Sequence, residues 1–230
     1  MKKKKIFIAC DTTSPNKVRE IIKNTKSSEL DVGYKIGLEF FLTTRGRNFI
    51  SEIKNEEIFL DLKLNDIPNT CAAAVYSLKD LKNISYLTAH VNGGYEMLKA
   101  IKKASKKINK KLKILGVTVL TSLSESSLKE IGHTRSIKEL VKKQASIARL
   151  AGLDGIICSG HEIKFLKKIC KNMEIITPGI RLSGDSAGDQ KRIMTPMNSL
   201  KNGASGIVIG RSVTKGNIKN NFQKLIKSLN

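Results

Sequence analysis

The sequence has no tryptophan, four prolines, 5% aromatic residues and no cysteine pair at CxxC spacing. Each scarcity excludes something. Cys10, Cys71, Cys158 and Cys170 are widely spaced, which argues against a zinc site and for reduced, buried thiols in a cytoplasmic protein. No HExxH and no histidine pair at metal spacing occurs among the three histidines. The longest apolar runs are strand length, far short of the ~20 residues that span a bilayer. Acidic residues are also scarce: 20 Asp and Glu against 42 Lys and Arg give a formal charge of +22. Many lysines, however, sit in stretches such as KAIKKASKKINKKLK (99–113), alternating with Ile and Leu as on the outer face of an amphipathic helix. With no nucleic-acid-binding signature, the charge predicts general attraction to anionic substrates, not sequence-specific nucleic-acid recognition.

What is present is a repeating alternation. Short β-branched runs at 6–11, 34–37, 58–63, 86–91, 114–120, 155–160, 174–180 and 206–211 are separated by Lys-, Glu-, Leu- and Ala-rich helical patterns. The strands are apolar throughout instead of alternating, as when helices cover the outer face of a parallel sheet. Eight such units in 230 residues predict a single-domain (β/α)8 TIM barrel over 1–230. Gly152 and Gly203 close helices just before strands, and the first strand lacks the GxGxxG of a dinucleotide fold. Residues 1–5, four of them lysine, are expected to form a short basic arm and not a signal peptide, because IFIACD supplies only a brief apolar run.

A barrel carries its chemistry at the C-terminal ends of its strands. Those ends read Asp11, Lys35, Asp61 with Lys63, His90, Thr121, Ser159, Pro178 to Arg181, and Gly210-Arg211. Asp61 and Lys63 share a face at period 2, and Lys35 and Asp11 on the preceding strands can meet them. A lysine held between carboxylates stays protonated and can act as an acid toward a developing carbanion. A carboxylate set against an anionic substrate group raises its ground-state energy until that group leaves. The Gly/Ser-rich loop 180–196 and the segment GIVIGRSVT (206–214) follow strands 7 and 8, where barrels often hold phosphate. Arg181 and Arg211 offer fork-shaped donors there and Gln190 an amide. A divalent ion between Asp11 and Asp61 would be repelled by Lys35 and Lys63, so no metal is expected. His90 reads as a structural residue.

The segments FLDLKLNDIPNT (59–70), GVTVLTS (116–122), TPGIRLSGDSAGDQKRIMTP (177–196) and GIVIGRSVT (206–214) resemble the orotidine 5'-phosphate decarboxylases in their short bacterial form. The resemblance implies cofactor-free conversion of orotidine 5'-phosphate to uridine 5'-phosphate in de novo pyrimidine biosynthesis, a carbon–carbon lyase reaction. It implies Lys63 as proton donor to C6 of the pyrimidine, Asp61 beside the substrate carboxylate, Lys35 in the same array and Asp11 at the ribose. Asp66 and Thr70 would reach across a homodimer interface into the partner's site, where Asp66 completes a catalytic Asp-Lys-Asp-Lys network, and Ile67 is among the substrate-binding positions. Thr121 would meet the pyrimidine edge and Pro178 the floor near the base. Arg181, Gln190, Arg211 and the amide of Gly210 would hold the phosphate, with 182–189 as a lid. The strand ends ACDTTS and TAHVNGG depart from the usual pattern without removing a charged residue.

Two alternatives remain at this point. Sugar-phosphate decarboxylases and aldolase-like relatives share a similar Asp-x-Lys-x-x-Asp strand with magnesium chemistry, but Lys35 occupies a place where a metal site would want a carboxylate. A catalytically silent basic barrel that binds polyanions would rest on the charge alone and gives no reason for a complete Asp/Lys array.

Overall fold

The computed structural model describes residues 3–186 and 192–229. Its eight strands are β1 (Lys4–Ala9), β2 (Leu30–Gly37), β3 (Ile58–Leu64), β4 (Ile84–His90), β5 (Lys113–Val117), β6 (Gly155–Ile157), β7 (Glu174–Ile180) and β8 (Gly206–Ile209). All pairings are parallel, in sequence order, and β1 closes on β8, so the expected (β/α)8 barrel is observed. Among the described residues the helices are α1 (Pro15–Asn24), α2 (Leu38–Phe41), α3 (Gly46–Glu52), α4 (Pro68–Tyr76), α5 (Gly94–Ile108), α6 (Glu125–Glu130), α7 (Ile137–Leu150), α8 (Ile163–Leu166), α9 (Pro196–Asn202), α10 (Arg211–Thr214) and α11 (Ile218–Leu229).

Sequence grammar explains the element ends. Ser14 caps α1 by accepting the Lys17 N–H, with Pro15 in the first turn where its missing N–H costs nothing. Ser136 and Glu139 form a reciprocal capping box on α7. Gly152 and Gly203 take φ of +73° and +105° as the chain leaves α7 and α9, a conformation that favours glycine.

Two apolar layers hold the barrel. Ile and Val side chains facing outward from the strands pack under the helices. Inside the barrel, Phe7, Phe59, Tyr86, Leu115, Ile176 and Val208 form a separate buried cluster. Phe7 meets Phe59 and Tyr86 edge to face, each with centroids 5.1 Å apart. Charged pairs surround this plug at the N-terminal end: Lys5 with Asp31 and Glu57, and Lys113 with Glu174, whose Oε2 accepts the Tyr86 hydroxyl at 3.0 Å.

These pairs correct part of the sequence reading. The basic arm does not extend to residue 5, because Lys4 and Lys5 already pair with Leu30 and Asp31 in the β1–β2 ladder. Strand β2 accordingly starts four residues before Tyr34, through an acid that neutralises Lys5. Strand β5 ends at Val117, not at residue 120.

Two ladders are irregular at their C-terminal ends. Between the pairs Leu60↔Leu87 and Leu64↔Ala89, Asp61, Leu62 and Lys63 of β3 face Thr88 alone. Between Thr177↔Ile207 and Ile180↔Ile209, Pro178 and Gly179 of β7 face Val208 alone. Such bulges bend a strand and re-aim its side chains. Lys63 at φ +51° and Gly179 at φ +74° lie inside them.

Candidate active site

A cavity of about 500 Å³ opens at the C-terminal end of the barrel. Asp11, Lys35, Asp61, Lys63, Thr121, Pro178, Arg181, Gly210 and Arg211 all line it, so nine of the expected site residues converge there. Its apolar wall comes from barrel strands, including Phe59, Val117, Ile157 and Val208.

The charged side chains form a chain of contacts. Lys35 Nζ donates to Asp11 Oδ1 at 2.9 Å and lies 3.6 Å from Asp61 Oδ2. Lys63 Nζ donates to the same Asp61 oxygen at 2.8 Å. Burial alone would pull the Lys35 ammonium down, but Asp61 and Asp11 outweigh it and hold its pKa above the ordinary lysine value. Burial likewise pushes the Asp61 carboxyl up, yet Lys35 and Lys63, with hydrogen bonds from Lys63 and Thr88, bring it below the ordinary range. Asp61 is therefore an anion held between two cations at neutral pH.

Asp61 and Lys63 do meet on one face, as the spacing suggested, but regular alternation is not the reason. The β3 bulge and the left-handed backbone at Lys63 bring its ammonium back onto Asp61. A non-glycine residue in that conformation is strained, and such strain clusters at functional sites.

Arg181 is buried and directs its Nε to Ser186 O and Nη1 to Ile180 O, folding the start of the following loop around itself. Gly210 stands close to Ala9 and Asp11: a Cβ there would come within 3.3 Å of Ala9 Cβ. Gln190 and the 187–189 portion of the expected lid lie outside the described residues. Asp66, Ile67 and Thr70 do not reach this chain's cavity; all three are exposed, Ile67 at 66%. Asp66 Oδ1 accepts the Ile67 N–H at 2.7 Å just before α4.

His90 does not line the cavity. Burial, then the Lys63 charge, lower its pKa, so the ring is neutral. Asn92 accepts a hydrogen bond from Gln144 Nε2 at 2.7 Å, which joins the β4 end to α7. Ser159 is fully buried, and its N–H donates to Glu162 Oε2 at 2.9 Å. Among the described residues no group of three or more His, Cys, Asp or Glu side chains is arranged to hold a metal ion.

Two further side-chain contacts hold the site in place. Thr88 donates from its hydroxyl to Asp61 Oδ1 at 2.9 Å and accepts the Lys63 N–H at 2.8 Å. Its signal was a threonine between the apolar Leu87 and Ala89 in the strand run YLTAHV. The second is the pair of buried Glu162 with half-buried Arg192, whose Nη2 also donates to Val119 O at 3.3 Å and Leu120 O at 3.2 Å. Arg192 thus fastens the end of the β7–α9 connection to the segment just before Thr121. Burial raises the Glu162 pKa even against the Arg192 charge.

Fold and site together define a (β/α)8 barrel with an alternating carboxylate–ammonium array beside an arginine pair at its C-terminal mouth. The chain belongs to the orotidine 5'-phosphate decarboxylase / HUMPS family, whose model matches residues 4–221. It is 42% identical over 231 residues to orotidine 5'-phosphate decarboxylase of Fusobacterium nucleatum, covering 99% of this chain and 96% of that one. The enzyme of the same description from Ligilactobacillus salivarius is 39% identical over 236 residues, covering 100% and 98%. The crystal structure of orotidine 5'-phosphate decarboxylase from Lactobacillus acidophilus superposes with a TM-score of 0.85 at 31% identity, covering 99% of this chain and all of that one.

Proposed function

We propose that this chain is an orotidine 5'-phosphate decarboxylase, which converts that nucleotide to uridine 5'-phosphate and CO2 in de novo pyrimidine synthesis. The observation that carries the proposal is the contact chain Asp11–Lys35–Asp61–Lys63 in a cavity that also holds Arg181 and Arg211.

The substrate carboxylate sits against Asp61, an anion already committed to two lysines, and the repulsion is relieved as CO2 departs. The C6–carboxylate bond breaks, its electron pair stays on C6, and the Lys63 ammonium gives its proton to that carbon. Lys63 then recovers a proton from water. Lys35 fixes Asp61 from the other side and Asp11 takes the ribose. Thr121 faces the pyrimidine edge and Pro178 the floor beneath the base. Arg181, Arg211 and Gln190, with the amide of Gly210, take the phosphate. This contact is remote from the reacting carbon and contributes by assembling and drying the site.

Asp66, Ile67 and Thr70 serve the neighbouring subunit's cavity in a homodimer. Their exposure, together with that of Leu42 at 75%, supports this role. The four unpaired, buried thiols favour a cytoplasmic location. No helix of the described residues is long and apolar enough to cross a membrane. Against magnesium-dependent chemistry stands Lys35, which already occupies the space between the two carboxylates an ion would need.

The test is the loss of orotidine 5'-phosphate absorbance with purified protein, with and without EDTA, beside Lys63→Ala. EDTA-resistant turnover that falls about 10²–10⁴-fold in the variant is expected for loss of a positioned acid. Folded, dimeric protein with no turnover would overturn the proposal.

A further inference from the structure

The β3 bulge creates a problem that one side chain solves. Three residues face one across the β3–β4 seam, so the Lys63 N–H has no ladder carbonyl to donate to. It donates instead to the Thr88 hydroxyl oxygen at 2.8 Å. A hydroxyl has a single proton, and with a backbone donor already on its oxygen, Thr88 directs that proton to Asp61 Oδ1 at 2.9 Å. The other Asp61 oxygen faces Lys63 at 2.8 Å and Lys35 at 3.6 Å. Both carboxylate oxygens are therefore assigned, and the plane of the carboxylate is fixed. The same hydroxyl ties down the backbone of Lys63, which is held at φ +51°.

Thr88 is fully buried and does not line the cavity, so it cannot touch a substrate. Among the described residues its hydroxyl meets these two groups. Valine has nearly the same shape and neither hydrogen-bonding function, so the hydroxyl can be removed without opening a void.

We infer that Thr88 is a positioning residue for the decarboxylation: one hydroxyl sets the angle of the Asp61 carboxylate and holds the strained Lys63 backbone that carries the proton donor. The inference rests on the function proposed above. Thr88 acts on the reacting geometry alone and leaves the ribose and phosphate contacts alone.

The experiment compares Thr88→Val and Thr88→Ser with the parent in the full chain, measuring kcat and KM for orotidine 5'-phosphate and inhibition by uridine 5'-phosphate. Misplacing a reacting group by about an ångström costs about 10²-fold in rate. Thr88→Val is expected to lose about that factor in kcat, with KM and product inhibition within about threefold of the parent. Thr88→Ser, which keeps the hydroxyl, stays within about fivefold in kcat. Thr88→Val with kcat within threefold of the parent would overturn the inference. Equal losses in the valine and serine variants would do so too, because they would assign the effect to the methyl group. If the valine variant fails to fold, Thr88→Cys decides by the same split: unchanged kcat overturns, a tenfold or greater fall at constant KM supports. An inactive parent sinks the proposed function but leaves this inference testable. The Asp61 carboxyl carbon, followed by NMR, should then titrate at higher pH in Thr88→Val than in the parent, and an unchanged titration would overturn it.

Discussion

Replacing Asp61 by asparagine should destabilise the free protein severely, although it changes one oxygen to nitrogen. At an effective dielectric of about 20, a charge pair at 2.8 Å is worth about 6 kcal/mol and one at 3.6 Å about 5 kcal/mol. Most of that attraction offsets the desolvation of groups as buried as Asp61 and Lys35, whose side chains are 12% and 13% exposed. What the variant loses is the compensation: within one chain, two ammoniums stay close together with the more exposed Asp11 left to balance them. Breaking a buried pair from one side costs about 3–5 kcal/mol. In a chain of this length each kcal/mol moves Tm by about 2–4 °C, so the midpoint should drop by roughly 10 °C. The asparagine side chain can still accept the Thr88 hydroxyl, which confines the change to charge. Urea unfolding at fixed protein concentration gives the difference directly, since assembly would otherwise shift the midpoint. A loss below about 1 kcal/mol would refute the reasoning, because it is the value expected of solvated surface pairs.

Further predictions concern pH, a buried ion pair and the phosphate side. Asp61, with its pKa depressed by folding, contributes stability that is present above the unfolded value near ~3.9 and lost as pH falls through the folded one. Lys35, raised by folding, contributes stability present below ~10.4 and lost as pH rises through its higher folded value. Urea stability against pH should slope at both extremes in the parent, and the alkaline slope should shrink in Lys35→Met. Glu162→Gln leaves the half-buried Arg192 without its counter-charge and should cost about 3 kcal/mol in chemical unfolding; adding Arg192→Met should restore at least about half, since an apolar replacement removes the uncompensated charge. Arg211→Ala should raise KM for the nucleotide at least about tenfold, by loss of a charge-assisted contact, and leave Tm nearly unchanged because the side chain is exposed.

The eightfold alternation was legible because a parallel barrel needs strands apolar on both faces, and every apolar run quoted from the sequence is a strand. Boundaries were less legible where charge disguised a strand. Asp31 and Gly33 look like turn residues, yet Asp31 joins β2 through its contact with Lys5. The site's membership could be read from strand ends, since local chain direction places them on one rim. Its geometry could not. Period-2 reasoning puts Asp61 and Lys63 on one face of a regular strand, whereas a bulge and a positive φ do the work, and bulges depend on the neighbouring strand. Thr88 and Arg192 were missed because their roles are tertiary: Thr88 lies 25 residues from Lys63, and Arg192 reaches carbonyls more than 70 residues away.

The aromatic plug closes the barrel interior at its N-terminal end, so among the described residues the cavity opens at the C-terminal mouth. Phe59 lines the cavity and also belongs to the packed cluster with Phe7 and Tyr86, beneath which Lys5, Lys113 and their acidic partners close the far end. Traffic is therefore sequential at that mouth. With the substrate placed as proposed above, CO2 forms beside Asp61 and Lys63 and leaves past the nucleotide or after it. A lingering CO2 would sit against the newly formed C6–H bond, so the order of departure bears on whether the reaction runs backwards before the mouth clears.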